Sequence, residues 1–216
     1  VGRGNDFAFG MDIPHPLEQG IQVIKANHRK RIDIGYVEGG LYPQGRYFGN
    51  GVGIGFDAVV GFEALKLAPL SGFLSYIVAA LKTIFLYFNA PRVKIELDSG
   101  TLEQPALMVS IMNGRRMGGG FMMAPESQTG DGLFDVCIAG QVSRSGIFAL
   151  IPRFMQGTQQ GHPAIRFERT MSITVTAIEG KLPAHSDGET LCTAGERLFM
   201  KIIPSALEII CSSPQE

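Results

Sequence analysis

Cysteine is scarce in this sequence, and the three present, Cys137, Cys192 and Cys211, are odd in number with no C-x-x-C spacing. Neither a disulfide framework nor C-x-x-C chemistry is indicated, and free thiols in a reducing compartment are expected. Net charge is equally thin. Nineteen Lys and Arg against 20 Asp and Glu leave −1, which gives no electrostatic footing for nucleic acid. Basic residues do gather at 28–31 and at Arg115-Arg116, where phosphate or solvent would meet them. Internal repeats and low-complexity tracts are missing. The opening at Val1 does not read as a secretory leader. It enters a Gly-rich phrase directly, so the sequence is expected to start partway along a longer protein.

What is present describes a folded, turn-rich and strand-rich chain: 45% apolar residues, 28 Gly and 12 Pro in 216 residues. That length suits one large domain, or one domain with part of another. The first ten residues read as a loop leading into a short helix capped by Asn5 or Asp6. Leu17, Ile21, Val23 and Ile24 have helical spacing. Strand-like 31–37 carries Asp33 between two Ile, which requires either a wet face or a partner. Residues 46–57 read as one strand whose Gly49, Gly51, Gly53 and Gly55 leave a face bare, open to a backbone, a helix or a ligand. The apolar run 67–88 is interrupted by Pro69, Gly72 and Lys82, which argues for a helix over 71–88 rather than a membrane span. That helix is buried on one face, with Phe85, Leu86 and Phe88 offered to another surface, core or lipid. Strands then follow at 93–97, 106–112, 165–168, 171–177 and 197–203, with a mobile Gly-rich loop at 113–125 and a helix at 145–156. The expected fold class is mainly β, a sandwich or open barrel.

The segment 182–190, between two strand candidates, contains Asp187-Gly188-Glu189. Asp-Gly is a tight-turn pair because Gly accepts positive φ. Two carboxylates flanking one Gly also repel each other unless a metal or proton lies between them, which suits Mg²⁺ binding or general-base work. The residues alone leave both readings open.

Several phrases, taken in order, resemble the diacylglycerol-kinase-like lipid kinases of the soluble bacterial branch, relatives of sphingosine and ceramide kinases. They are Gly4-Asn5-Asp6-Phe7-Ala8, Ile32-Asp33-Ile34-Gly35, the 49–57 stretch, Asn113-Gly114, Gly118-Gly119-Gly120, Ala124-Pro125, Asp131-Gly132-Leu133-Phe134-Asp135 and Asp187-Gly188-Glu189. The resemblance implies a remnant of an N-terminal α/β nucleotide-binding domain over 1–36, a C-terminal β-sandwich over 37–204, and a segment over 205–216 that returns to the first domain. It implies ATP and Mg²⁺ as cofactors and a diacylglycerol-like lipid as acceptor, or a sphingoid or other lipid alcohol. Asp187 would be the general base, Glu189 would join Asp6 and Asp33 in a Mg²⁺ network, and Gly4 and Asn5 would contact nucleotide. Asp131 would anchor a separate structural Mg²⁺ with backbone carbonyls near Gln128 and Leu133, with Asp135 as the near alternative. Further expectations are a cytoplasmic protein, peripheral at the membrane surface it meets transiently, and a homodimer. A reading from another class is a non-catalytic lipid-binding sandwich. The family's Gly-Gly-Asp-Gly-Thr phosphate loop occurs nowhere in the sequence, and Arg3 stands where Thr is usual. The 216 residues alone are therefore expected not to turn over ATP.

Overall fold

The alternation of apolar and polar residues places two sheets back to back. The structure, a computed structural model, describes residues 4–67, 73–87 and 89–212. In chain order the elements are α1 (Asp6–Gly10), α2 (Leu17–Ala26), β1 (Arg29–Gly39), β2 (Tyr42–Phe48), β3 (Gly51–Gly55), α3 (Phe56–Lys66), α4 (Phe73–Leu86), β4 (Arg92–Leu97) and β5 (Gly100–Met112). β6 (Phe134–Gly140), α5 (Arg144–Gln156), β7 (Ile165–Thr170), β8 (Ser172–Glu179), β9 (Leu182–Ser186), β10 (Glu189–Gly195) and β11 (Arg197–Ile210) follow. The strands form one antiparallel network in the order β10-β9-β3-β5-β4-β8-β11-β1-β2, with β6 and β7 branching from β5. The mainly β sandwich-like architecture expected from the sequence is what forms.

β5 makes the two-sheet arrangement possible. Its first half pairs with β4, and its second half pairs with β3 on one side and β6 on the other. Side chains alternate faces along a strand. Val109 and Ile111 accordingly enter the core between the sheets, with Val52, Ile54, Val136 and Ile138. Met108 and Met112 point the other way, toward α5 and the 117–124 segment. α3 and α4 pack together on this outer face, joined by Glu63, whose carboxylate bonds Lys66 and Lys82 at 2.6 Å each. Among the described residues no helix is long and apolar enough to cross a membrane.

Three sequence readings change. The single strand over 46–57 is two, broken at Gly49-Asn50, where the chain leaves β1 in one sheet and enters between β5 and β9 in the other. α3 follows at once. Its apolar residues run all round the helix, so no amphipathic stripe announces it. The 113–125 loop is not mobile: Met117, Phe121, Met123 and Ala124 are buried, and Met117 and Phe121 form a β-bridge. The helix expected over 71–88 spans Phe73–Leu86, and Ser71, Gly72 and Phe88, like Pro69 and Arg3, lie outside the described residues. β1 and β11 pair from Arg29↔Ile210 to Glu38↔Phe199.

Asp33 has partners rather than a wet face. It sits at the register break of the β1–β11 ribbon and is fully buried. One carboxylate oxygen accepts Ser205 N–H at 2.7 Å and the other accepts Gly132 N–H at 2.7 Å. Ser205 adopts a left-handed φ of 51°, so the bulge depends on this acceptor. Asp33→Ala leaves two N–H donors without it. The expected loss is on the order of 3 kcal/mol in chemical denaturation, and a change within about 0.5 kcal/mol, the range of an ordinary surface substitution, would contradict the bracing role.

Candidate functional site

β9 and β10 are joined by Asp187-Gly188, both at positive φ (49° and 84°), in a two-residue hairpin with Ser186 paired to Glu189. Such turns require left-handed residues at both positions, and Asp-Gly supplies them. The turn is also a tether. Asp187 Oδ1 accepts the N–H groups of Asn50 (3.1 Å) and Gly51 (3.0 Å), and Oδ2 accepts that of Gly49 (2.7 Å). The carboxylate thus pins the crossover between the sheets. Asn113 secures it from the other side, its Nδ2 donating to Gly49 O and Asp33 O.

Asp6 reaches the same place from α1. Its carboxylate accepts Arg116 Nε at 2.7 Å and Gly119 N–H at 3.0 Å, while the Arg116 guanidinium lies 3.9 Å over the Phe9 ring. Arg115 bonds Asp12. The pair of arginines left between phosphate and solvent by the sequence therefore fastens the 4–12 segment to the 113–121 loop.

Gly4, Asn5, Asp6, Asp187 and Glu189 all border one cavity of about 530 Å³. Its interior runs between α3, α4, α5 and the β5–β6 face and is walled by residues such as Val60, Ala80, Phe121, Leu150 and Phe154. Such a slot, apolar within and acidic at the mouth, suits an amphipathic ligand. Asp33 is not among its walls. The structure brings Asp6 and Glu189 together and keeps Asp33 apart, facing the 129–132 loop instead.

Two polar side chains that line the cavity, Asp57 and His185, were given no role from sequence. Asp57, at the start of α3, accepts Ser110 Oγ (2.8 Å) and Ala58 N–H (2.8 Å). His185, on β9, is buried beside it: a Cβ on Gly53 would collide with Asp57 Oδ2 and His185 Nε2. Burial pushes the Asp57 carboxyl up to about 7 and the His185 imidazole down to about 4. Between those values the pair is a neutral acid and a neutral imidazole, which suits an apolar wall. The bare glycine face of 49–55 was the available signal, since Gly53 is what makes room for both.

The residues expected around a structural Mg²⁺ are partly gathered. Asp131 Oδ1 accepts Leu133 N–H (3.0 Å), and Asp131 and Asp135 share Arg169. Gln128 is exposed nearby in sequence. Asp135 Oδ2 is buried with no hydrogen-bond partner, and burial pushes this carboxyl up despite the Arg169 charge. Among the described residues no group of three or more His, Cys, Asp or Glu is placed to hold a metal. Asp131 and Asp135 are carboxylates, the ligand type Mg²⁺ takes, and here both are paired with Arg169.

Comparison with known proteins shows what the whole chain resembles. The chain is 25% identical over 214 residues to a diacylglycerol kinase of Mycobacterium tuberculosis, covering 97% of this chain and 67% of that one. It is 24% identical over 190 residues to a diacylglycerol kinase of Staphylococcus carnosus, covering 88% of this chain. It spans 60% of the length of that relative. The crystal structure of a diacylglycerol kinase from Bacillus anthracis superimposes with a TM-score of 0.68 at 18% identity, over 97% of this chain and 64% of that one, which shows a shared fold. Residues 50–211 match the YegS C-terminal NAD kinase beta sandwich-like domain. By that match, over most of its length, the chain belongs to the YegS C-terminal domain family.

Proposed function

We propose that this chain is the lipid-accepting part of an ATP- and Mg²⁺-dependent kinase that phosphorylates a lipid hydroxyl, converting diacylglycerol to phosphatidic acid. The observation that carries the reading is that Asp6, Asp187 and Glu189 border one predominantly apolar cavity. The relatives named diacylglycerol kinase support the reaction class. Phosphoryl transfer depends on positioning and charge neutralisation more than on covalent chemistry, which this set of acids can supply.

A carboxylate offers about four lone-pair sites. Backbone donors occupy two on Asp187 Oδ1 and one on Oδ2. The remaining Oδ2 site is the one that accepts the lipid hydroxyl proton as the oxygen attacks phosphorus. The Gly49 N–H holds that oxygen, and the Asn50 and Gly51 N–H groups hold the other oxygen of the carboxylate. Bound Mg²⁺ would neutralise phosphate charge, with Asp6 and Glu189 as its carboxylates. Gly4 and Asn5 contact nucleotide in this reading, while Asp33 braces the neighbouring loop. The exposed apolar side chains of α4, Leu74, Leu81, Phe85 and Leu86, give the membrane contact through which the acceptor arrives.

In the protein that joins this chain to a nucleotide-binding half, Asp187→Asn is expected to lower kcat by about 10²- to 10⁴-fold with little change in KM for ATP. The new amide N–H₂ faces a backbone donor, so a loss of about 1–3 kcal/mol accompanies it. Rates are therefore compared per folded protein. Retention of more than about a tenth of kcat assigns the base elsewhere. Glu189→Gln is expected to recover part of its defect at high Mg²⁺, which Asp187→Asn does not.

The structural metal has its own test. Added Mg²⁺ should raise Tm of the wild type and leave that of Asp131→Ala unchanged. Equal responses in the two proteins would reject the site.

A further inference from the structure

α3 holds a glycine that its surroundings do not require. Gly61 lies in the middle of the helix, where glycine is the least favourable residue after proline. Glycine is needed where φ is positive or where a neighbour comes too close for a Cβ. Neither applies here: Gly61 has no positive φ, and a Cβ built on it would meet one heavy atom within 4 Å, His185 Cδ2 at 4.0 Å. On Gly53, by contrast, a Cβ would collide with Asp57 and His185, and on Gly146 of α5 it would come within 3.1 Å of Val142. Of the glycines within the described helices (Gly10, Gly20, Gly61 and Gly146), Gly61 is the one that lines the cavity. Asp57, Gly61 and Leu65 are spaced one turn apart on one helix face, and all three border that cavity. The row spans about 12 Å, from buried Asp57 to Leu65, which is 55% exposed. Between them Gly61 leaves a strip of bare backbone facing open cavity space.

We propose that an acyl chain of the acceptor lies against α3 at Gly61, which makes position 61 a specificity determinant that sets the width of chain the cavity admits. The inference rests on the lipid-acceptor reading above and assigns one wall of its apolar track. A methylene chain has no polar group to direct it. It gains by leaving water and by close contact along its length, so a smooth wall suits it and each side-chain atom added to that wall takes space from it. The backbone at Gly61 is inside α3, where N–H and C=O groups are paired along the helix. The strip therefore offers the chain contact without an unpaired polar group. The exposed end of the row at Leu65 gives the chain a way in, and the buried end leads it toward walls such as Val60 and Leu150.

The test compares Gly61→Ala and Gly61→Leu with the wild type in the 216-residue protein, reading Tm and the affinity for a short-chain diacylglycerol by calorimetry. Because the fold leaves the space beside Gly61 open, Gly61→Ala is expected to raise Tm by about 2–4 °C through helix propensity. The same methyl group is expected to weaken lipid binding about tenfold, and the larger Leu side chain about 200-fold or more. Higher stability with weaker binding separates this role from a structural one, since a glycine needed for packing lowers Tm when a Cβ is added. A fall in Tm for Gly61→Ala overturns the inference and leaves the lipid-acceptor reading standing. Wild-type affinity in both variants does the same. Failure of the wild type to bind the diacylglycerol overturns both readings together. If Gly61→Leu does not fold, Gly61→Ala decides the matter alone.

Discussion

Three backbone N–H groups, from Gly49, Asn50 and Gly51, converge on the Asp187 carboxylate, and the site is assembled around that convergence. The first sheet ends and the second begins at these residues, so a single side chain joins the crossover to the β9–β10 turn. Hydrogen bonds to an ionised acceptor are roughly twice as strong as neutral ones. The arrangement fixes the position of the carboxylate without a metal or a partner chain. Asn50 and Asn113 extend the tether to the 113–125 loop, through Asn50 Nδ2 to Arg116 O and Asn113 Nδ2 to Gly49 O. That loop in turn holds Asp6. One continuous hydrogen-bonded region thus presents the acids at the cavity mouth.

Behind the mouth the physics reverses. The helices α3, α4 and α5 face the β5–β6 surface with Val, Ile, Leu, Ala and aromatic side chains, against Met108 and Met112 of β5. Their polar exceptions are few. Burial pushes the Asp57 carboxyl, partnered by Ser110, up to about 7 and keeps the His185 imidazole neutral, with its Nδ1 unpartnered. A ligand with one reactive polar end and a long apolar body is the class that matches both zones.

Much of this was legible from sequence because its determinants are local. The Asp187-Gly188 turn follows from the φ preferences of those two residues. Alternation in 93–97 gave β4, and the continuous apolar run 106–112 gave the inner half of β5. The ordered glycine and acid phrases pointed to the family that residues 50–211 match. What was hidden depends on tertiary placement. α3 has no polar face to mark it. The 113–125 loop looked mobile from its glycines, whereas its methionines and Phe121 are core residues. Asp33 could be read as needing a partner, but Ser205 is 172 positions away and Gly132 is 99, so no local pattern identifies either. His185 was visible within the turn segment, and only the fold shows its ring meeting Asp57 over Gly53.

The central claim is that the cavity under α3, α4 and α5 holds the lipid body while its polar end meets Asp187. The most direct measurement uses a diacylglycerol carrying a photoreactive group at the end of one acyl chain, irradiated with the protein and mapped by mass spectrometry. The account predicts adducts on cavity walls such as Phe121, Leu150 and Phe154, suppressed by excess unlabelled lipid. Adducts confined to the outer surface of β1 and β2, around Tyr36 and Tyr47, and insensitive to competitor would contradict it.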